Sequence, residues 1–580
     1  MTGVVARAVA AVSLAAAASL VLGDFRAGQL SLFLSLALLA VSLDLVWGYA
    51  GVLSLGQLLP FGTAAYLTAR ITEGAPGRSM AALALAVVAG ALVSGVVGVA
   101  AFRRRLSPVV VGLLTLMLSL TFEQLAEQWR GMTGGFNGLT DVPHLAPLGS
   151  ELGDAGQDLA ITVVSAAAMA GVGILLTRPV GAVLIGIRDN ERRMEALGYD
   201  TVALKIQAYT FGGAVAGLAG ALYVHRTGFV SPGIFGFTLA TNLVLWTLIG
   251  GRGTVLGPIV GTLVINFVSA ALADVWLQYW VLATGVVFIA AAVLVPEGLL
   301  PRALRALGRP ARPSRRPDLV PRAPDPQATS SGGDVLVADG VEKSFGSFRV
   351  LDGLSLTVER AELRCLIGPN GAGKSTMLDI LCGQQGHQAG TITLFGEEAT
   401  GVPAWRFARR GVSRKFQAPQ VIESLSVGEN LAVAAWGAQP SAWSILRRSW
   451  SAEIGGGVSE ILDRTGLRHR LDVAAGALSH GEQQWLEIAM ALAGRCRLLL
   501  LDEPTAGMTA AESLEAAALL RHLHLDLDLP IVIVEHDMAF IRAVADRVTV
   551  LADGELIADG PVDMVEADPR VRAVYLGAAP

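Results

Sequence analysis

The chain has 580 residues, 53% hydrophobic and 16% charged, with a formal net charge of −5. That composition is too apolar for a soluble chain of two or three ordinary domains and makes a membrane protein the first expectation. The small negative charge argues against a nucleic-acid binder, whose phosphate contacts need a concentrated basic face.

Charge is unevenly spread: residues 1–300 hold 15 Lys+Arg and 15 Asp+Glu, and residues 301–580 hold the other 63 charges. The chain reads as one half for lipid, 1–300, and one for water, 334–580, joined by a segment at 301–333. The three cysteines, Cys365, Cys382 and Cys496, lie in the polar half without CxxC spacing, which gives neither a disulfide framework nor a zinc site. Only four lysines stand beside 40 arginines, so a lysine at a special position is informative.

Bilayer-length apolar runs fall at 4–22, 29–50, 52–70, 79–101, 108–125, 158–177, 206–225, 234–250, 254–272 and 276–295, about ten spans. The first could instead be a cleaved signal peptide; retention is favoured. Clusters of positive charge at 103–105, at Arg178, Arg188, Arg192, Arg193 and Lys205, at Arg252 and at 302–322 all fall on the cytoplasmic side if the N-terminus is cytoplasmic. The runs 52–70 and 234–250 are short and interrupted by Gly56, Pro60 and Gly62 or by Gly236, as in broken or re-entrant helices. Gln57, Asn242, Asn266 and the loop GGFNGLT at 134–140 are polar candidates for solute contact, although a helix-to-helix hydrogen bond explains any one of them better. Asp44 and Glu123 fall towards span ends, leaving no carboxylate convincingly at mid-membrane.

Between the sixth and seventh runs lies a charged, helical loop, GAVLIGIRDNERRMEALGYD, Gly181–Asp200. By charge alone it is a solvated connector. Its sequence, with AVAGLAGALYVHRTGFVSPGIFGF and LIGGRGTVLGPIVGT after it, resembles the permease subunits of branched-chain amino acid and urea-type ABC importers over most of residues 30–295. The resemblance implies a coupling loop that docks on an ATPase, with Arg188, Glu195, Ala196 and Gly198 as its marked residues.

Residues 301–333 carry seven prolines and seven arginines without apolar period, and are expected to be an extended, disordered linker whose arginines meet lipid headgroups. Beyond it, short apolar runs alternate with helical stretches, the pattern of an α/β domain. A buried strand leads into GPNGAGKS, Gly368–Ser375, and then a helix, the context a phosphate-binding loop requires. Its members Gly368, Pro369, Asn370, Gly371, Ala372, Gly373, Lys374, Ser375 and the following Thr376 would cradle phosphates, with Lys374 on the β- and γ-phosphates and the Ser375 hydroxyl on magnesium. RLLLLDEP at 497–504 ends a strand in Asp502, placed to bind Mg2+, and Glu503, placed to orient or deprotonate the attacking water. PIVIVEHD at 530–537 presents His536 as a donor to transition-state charge.

With LSHGEQQWLEIAMALA at 478–493, these motifs resemble an ABC-transporter ATPase subunit over roughly 335–577. That resemblance implies ATP as the nucleotide, Phe345 stacked on adenine, Gln417 as the loop glutamine sensing magnesium and contacting the coupling loop, and Ser479 and Gly481 as signature residues closing on the γ-phosphate of an opposite subunit. The usual LSGGQ reads LSHGE here, and Thr509 stands where the D-loop commonly has Asp. These departures, with RKFQ and the ending AVYLG, resemble the urea-transporter branch more than the branched-chain amino acid branch.

The expected fold is a polytopic all-α membrane domain fused to an α/β P-loop ABC ATPase domain, in the cytoplasmic membrane with the ATPase inside. The expected function is ATP-driven import of a small polar solute, urea or a short amide preferred and branched-chain amino acids the alternative. An exporter half-transporter and an ATP-regulated channel are readings of other classes. Expected partners are a second permease, a second ATPase and an extracellular solute-binding protein, or a second copy of the chain, with lipid and no nucleic acid.

Overall fold

The computed structural model describes residues 2–147, 149–276, 285–286, 289–290, 293–294, 297–308, 315–322, 333–437, 445 and 449–576. Its contacts form two units, Met1–Arg188 with Val202–Pro313, and Asp189–Thr201 with Ser314–Pro580.

The first unit is helical: α1 Thr2–Val21, α2 Asp24–Asp44, α3 Leu58–Thr72, α4 Ser79–Phe102, α5 Pro108–Gln128, α6 Arg130–Thr133, α7 Asp154–Leu176, α8 Pro179–Asp189, α9 Glu191–Ala196, α10 Thr201–Thr227, α11 Phe237–Gly250, α12 Leu256–Trp276 and α13 Leu299–Ala306, with α9 and the start of α10 grouped into the second unit. Among the described residues, five helical stretches are long and apolar enough to cross a membrane: Asp24–Tyr49, Pro76–Phe102, Pro108–Gln128, Asp154–Leu176 and Thr201–Thr227. Each predicted run from 4–22 to 254–272 coincides with a helix, and the run at 276–295 lies largely outside the described residues.

Apolar all round, α2 is buried from Phe33 onwards and forms the centre of this unit. By contrast, α4 buries a stripe of small residues, Ala82, Ala86, Gly90, Ser94 and Gly98, and exposes Leu85, Val88, Leu92 and Val96 on its other face. The small stripe lets α4 and α10 touch backbone to backbone, the packing lipid-embedded helices use where no hydrophobic effect drives them together. A Cβ on Gly90 would lie 2.2 Å from the Gly213 carbonyl oxygen, and one on Gly217 would lie 2.3 Å from that of Ala86. Gly217→Val is therefore expected to destabilise the unit by about 1–3 kcal/mol, seen as earlier thermal unfolding of the purified chain in detergent.

The interrupted runs are broken as expected. Residues 51–57 are non-helical before α3, and a single 3-10 turn, Pro232–Phe235, precedes α11. A π-turn over Leu45–Tyr49 follows α2. Beside it the buried Asp44 carboxylate accepts from the N–H groups of Gly253 at 2.5 Å and Val255 at 3.1 Å, so backbone donors satisfy both of its oxygens. Gln57 is fully buried, and neither atom of its amide has a hydrogen-bond partner among the described residues. Asn266 bonds its own helix, Nδ2 to the Thr262 carbonyl at 2.8 Å.

The second unit carries β1 Asp318–Pro321, β2 Leu336–Phe345, β3 Phe348–Val358, β4 Leu363–Ile367, β5 Ala389–Leu394, β6 Glu397–Glu398, β7 Val412–Lys415, β8 Ser451–Ile454, β9 Leu498–Asp502, β10 Ile531–Val534, β11 Arg547–Ala552 and β12 Glu555–Gly560. Its helices include α14 Lys374–Leu381, α15 Ala404–Arg410, α16 Val427–Trp436, α17 Val458–Arg464, α18 His480–Ala493, α19 Ala510–Leu527 and α20 Met538–Val544. The main sheet runs β12-β11-β4-β10-β9-β7, parallel except at the β11–β12 edge, and a second, antiparallel sheet runs β3-β2-β5-β6. Strands buried on both faces read as apolar runs, as IVIV of β10 and the four leucines of β9 do, while β4, LRCLI, buries Arg364 paired with Glu362 and Asp559.

The segment expected to be a disordered linker is partly ordered. Residues 299–306 form α13, and β1 pairs in parallel with β8, Asp318 opposite Ser451 through Pro321 opposite Ile454. Arg322 extends the attachment by donating to the Gly494 carbonyl at 2.7 Å and the Glu453 carbonyl at 3.0 Å. Composition missed this because backbone pairing to an exposed edge needs no apolar period, and only Leu319 and Val320 hint at it.

Candidate functional site: a phosphate-loop centre and its docked helix

The four adjacent strands β4, β10, β9 and β7 are parallel, so their chain ends emerge along one sheet edge, where α/β folds place ligands. There β4 delivers Gly368, β9 delivers Asp502 and Glu503, β10 leads to His536, and β7 leads to Phe416 and Gln417. Residues far apart in sequence meet here because the sheet order, not the chain order, sets the neighbours.

Gly368 must be glycine: φ is +151° and a Cβ would meet the Leu551 carbonyl oxygen at 2.0 Å. Gly371 and Gly373, at φ +88° and +95°, complete the turn, while Pro369, Asn370 and Gly371 form its exposed lip and Ala372 packs inward. Lys374 opens α14 and donates to the Gly368 and Pro369 carbonyls at 2.7 and 2.9 Å, held across the loop's mouth. Partial burial lowers its pKa, against the pull of Glu503 and Asp502. Ser375 Oγ donates to Asp502 Oδ1 at 3.4 Å, and Thr376 follows on α14. A hydroxyl beside a carboxylate at a phosphate loop is a hard-oxygen donor set that suits magnesium.

Burial raises the pKa of Asp502, with Arg414 opposing through Nη2 at 3.3 Å from Oδ2. Glu503 has φ +44°, a left-handed conformation costly for a non-glycine and concentrated at functional sites. Gln417 Nε2 donates to Glu503 Oε2 at 3.0 Å, so two expected site residues are in direct contact. Lys415 Nζ donates to the Asp502 and Glu503 carbonyls, both at 3.1 Å, fixing the turn from behind. His536 is exposed, its backbone N–H donating to Glu535 Oε2 at 3.0 Å. Phe345 ends β2, half exposed, with Lys343 Nζ 5.1 Å from its ring centre.

Ser479 is not bonded to the phosphate loop. It caps α18, its hydroxyl and N–H both engaged with Glu482 in a capping box, a role the usual glutamine at this position could also fill. Gly481 lies in open space on the first turn of that helix.

The loop between α8 and α10 seats on the α/β fold of the second unit. Tyr199, fully buried, donates its hydroxyl to the Val433 carbonyl of α16 at 2.7 Å. Asn190 Nδ2 donates to Gln420 Oε1 at 2.6 Å, and Arg409 Nε to the Gly198 carbonyl at 2.9 Å. Gly198, at φ +97°, has room for no side chain: a Cβ would sit 2.4 Å from the Gly437 carbonyl oxygen. Glu195 accepts from Thr201 Oγ1 at 3.1 Å and so braces the loop itself, while Ala196 lines a small cavity beside Arg414 and Met490.

Arg193 is the buried centre of this docking. It is 0% exposed and donates through Nη1 to the Arg414 carbonyl at 2.7 Å and through Nη2 to the Glu487 carbonyl at 3.0 Å, with Glu487 Oε1 3.4 Å from Nη1. Glu487 Oε1 also accepts from the Phe416 N–H at 3.1 Å. Burial pushes both groups toward neutrality, lowering Arg193 and raising Glu487, and each charge pulls the other back. Sequence reasoning missed Arg193, Tyr199 and Glu487, since a basic residue in a charged helix gives no sign of being buried. Arg188 stands at the boundary between the two units. It ends the first unit, Nη1 donating to the Gly48 carbonyl at 2.6 Å, because α8 continues the membrane unit to that residue.

Residues 26–292 match the family described as branched-chain amino acid transport system / permease component. Residues 351–506 match the ABC transporter family, and 555–580 the branched-chain amino acid ATP-binding cassette transporter family. The high-affinity branched-chain amino acid transport ATP-binding protein BraF of Pseudomonas aeruginosa is 33% identical over 252 residues, 42% of this chain and 98% of that protein. LivG of Escherichia coli, of the same description, is 32% identical over 251 residues, again 42% and 98%. Among solved structures, a nucleotide-free ATP-binding cassette from an ABC transporter is 26% identical, covers 42% of this chain and 100% of its own, and has a TM-score of 0.37. ATP hydrolysis coupled to transport, a membrane location and a cytoplasmic motor follow from the two matched parts. The chain belongs to the ABC transporters, a permease of the branched-chain amino acid type and its ATPase fused in one polypeptide.

Proposed function

We propose that the chain imports branched-chain amino acids. The observation that carries this substrate is the agreement of both fused parts, permease and ATPase, with families and relatives described by branched-chain amino acid transport. It replaces urea, preferred on the sequence alone, as the leading solute. Urea stays as a second reading because His480, Glu482 and Thr509 depart from the usual pattern in the way noted above.

In this reading Phe345 stacks on adenine, and the loop from Gly368 to Thr376 holds the phosphates, with Lys374 turning from its carbonyls to the β- and γ-phosphates. Ser375, Asp502 and Gln417 would hold Mg2+, which would neutralise phosphate charge. Glu503 orients and deprotonates the attacking water, and His536 donates to the charge that develops on the γ-phosphate. Ser479 and Gly481 complete the site of a second ATPase, so one chain supplies half of a two-site motor. A second permease and ATPase, or a second copy of this chain, and an extracellular solute-binding protein complete the importer.

ATP-dependent uptake of leucine, valine, urea and acetamide into vesicles holding the chain with its solute-binding protein tests the substrate. Leucine and valine are expected to accumulate. Accumulation of urea with neither amino acid would overturn the proposal in favour of the second reading.

A further inference from the structure

Two adjacent arginines of the docked loop point to two different parts of the ATPase. Arg193 reaches Glu487 on α18, the signature helix. Arg192 Nη2 donates to Asp379 Oδ1 at 2.8 Å, on α14, the helix that follows the phosphate loop. Asp379 Oδ1 is shared, since it also accepts from Arg414 Nη1, while Gln385 Nε2 donates to Oδ2 at 2.8 Å. Arg414 is buried and forked: Nη1 on Asp379 and Cys382 Sγ, Nη2 on Asp502 Oδ2. Both guanidinium groups flank one ring, Arg192 at 4.8 Å and Arg414 at 4.9 Å from the centre of Phe416, the residue before Gln417.

We infer that Arg414 is a relay between the carboxylate at the magnesium position and the coupling loop, acting through the Asp379 oxygen it shares with Arg192. The inference rests on the ATP-site reading above. Asp502 now divides its charge between Arg414 and Ser375. Once a dication shares that carboxylate, Asp502 holds Arg414 less strongly, and like charge at this range repels the guanidinium, an effect large in a partly buried site. Arg414 then shifts its bonding to Asp379. Two guanidinium groups on one carboxylate oxygen compete, so Arg192 loosens and the loop from Asp189 to Thr201 feels the occupancy of the nucleotide site. The carbonyl of Arg414 is meanwhile bonded to Arg193, so the same residue grips the loop through its backbone and addresses the catalytic centre through its side chain. Buried charge pairs are costly to keep for stability alone, and a switch is the best-attested reason to retain them.

Hydrogen exchange of residues 189–201 in the full chain, in lipid nanodiscs, tests the relay, with binding of a fluorescent ATP analogue measured on the same samples. In the wild type, ATP with Mg2+ is expected to change exchange in this segment, and ATP with EDTA to leave it as in the nucleotide-free protein. Arg192→Met, at a side chain half exposed and safe for folding, is expected to lose the Mg2+-dependent change while binding the analogue as the wild type does. Arg414→Met, which also unpairs Asp502, is expected to lose the Mg2+-dependent change whatever its affinity for the analogue, and Arg414→Lys to restore part of the response; a merely structural role would show no such rescue. The relay is overturned if Arg192→Met keeps the full Mg2+-dependent change, or if the wild type binds the analogue and shows none. Absence of analogue binding would remove the ATP-site reading, and the relay with it.

Discussion

Glu503→Gln is expected to bind Mg-ATP as the wild type does and to turn it over at least about 100-fold more slowly, the loss typical for removal of a general base. The substitution keeps size and hydrogen-bonding capacity, so the left-handed turn at 503 and its backbone bond from Lys415 are preserved. What it removes is the negative charge that draws a proton from water beside Asp502. Gln417, bonded to Glu503 at 3.0 Å, keeps a partner in the amide oxygen of the new residue, so structural collapse is not the source of the loss. Phosphate release and uptake, both measured in vesicles, check this. Solute uptake that continues at the wild-type rate in Glu503→Gln would replace the pump with an ATP-regulated pore.

Arg193→Ala is expected to undo the docking of the loop by about 3–5 kcal/mol, the cost of leaving one member of a buried ion pair without the other. Glu487 would lose its guanidinium partner and keep the Phe416 N–H and the nearby Lys415 charge, and the carbonyl groups of Arg414 and Glu487 would each lose a charged donor. Transport should fall much further than ATP hydrolysis, because the ATPase core keeps every residue of its nucleotide site. The companion variant Arg193→Met with Glu487→Met distinguishes charge from volume. Replacing both partners with apolar groups of similar size removes the unpaired charge, so much of the docking should return, as local hydrogen-exchange stability of 189–201 would report. A double variant no more protected than Arg193→Ala alone would place the docking energy elsewhere, in Tyr199 and the bond from Arg409 to Gly198.

The nucleotide site was legible because its parts are local words: GPNGAGKS needs its glycines for φ values of +88° and +151°, and LLLLDE needs its leucines to be a strand buried on both faces. The membrane helices were legible by length. Burial of charge was not. Arg193, Arg414 and Glu487 owe their positions to strands and helices brought together across more than two hundred residues, and nothing in ERRMEALG says which arginine faces solvent. The loop's identity came from resemblance, which marked Glu195, Ala196 and Gly198 yet passed over the side chain between them and the permease that the ATPase buries. Likewise β1 was invisible inside a proline- and arginine-rich run, since its partner β8 lies far along the chain and pairs only through backbone.

That small pairing alters what fusion means for assembly. The covalent path from α13 to the first strand of the ATPase covers residues 307–317 rather than reaching to Asp334, and a shorter connection raises the local concentration of the motor near its own permease. A separately made ATPase must compete for its permease by mass action. Here each permease carries a motor whatever the expression level, and stoichiometry is written into the gene.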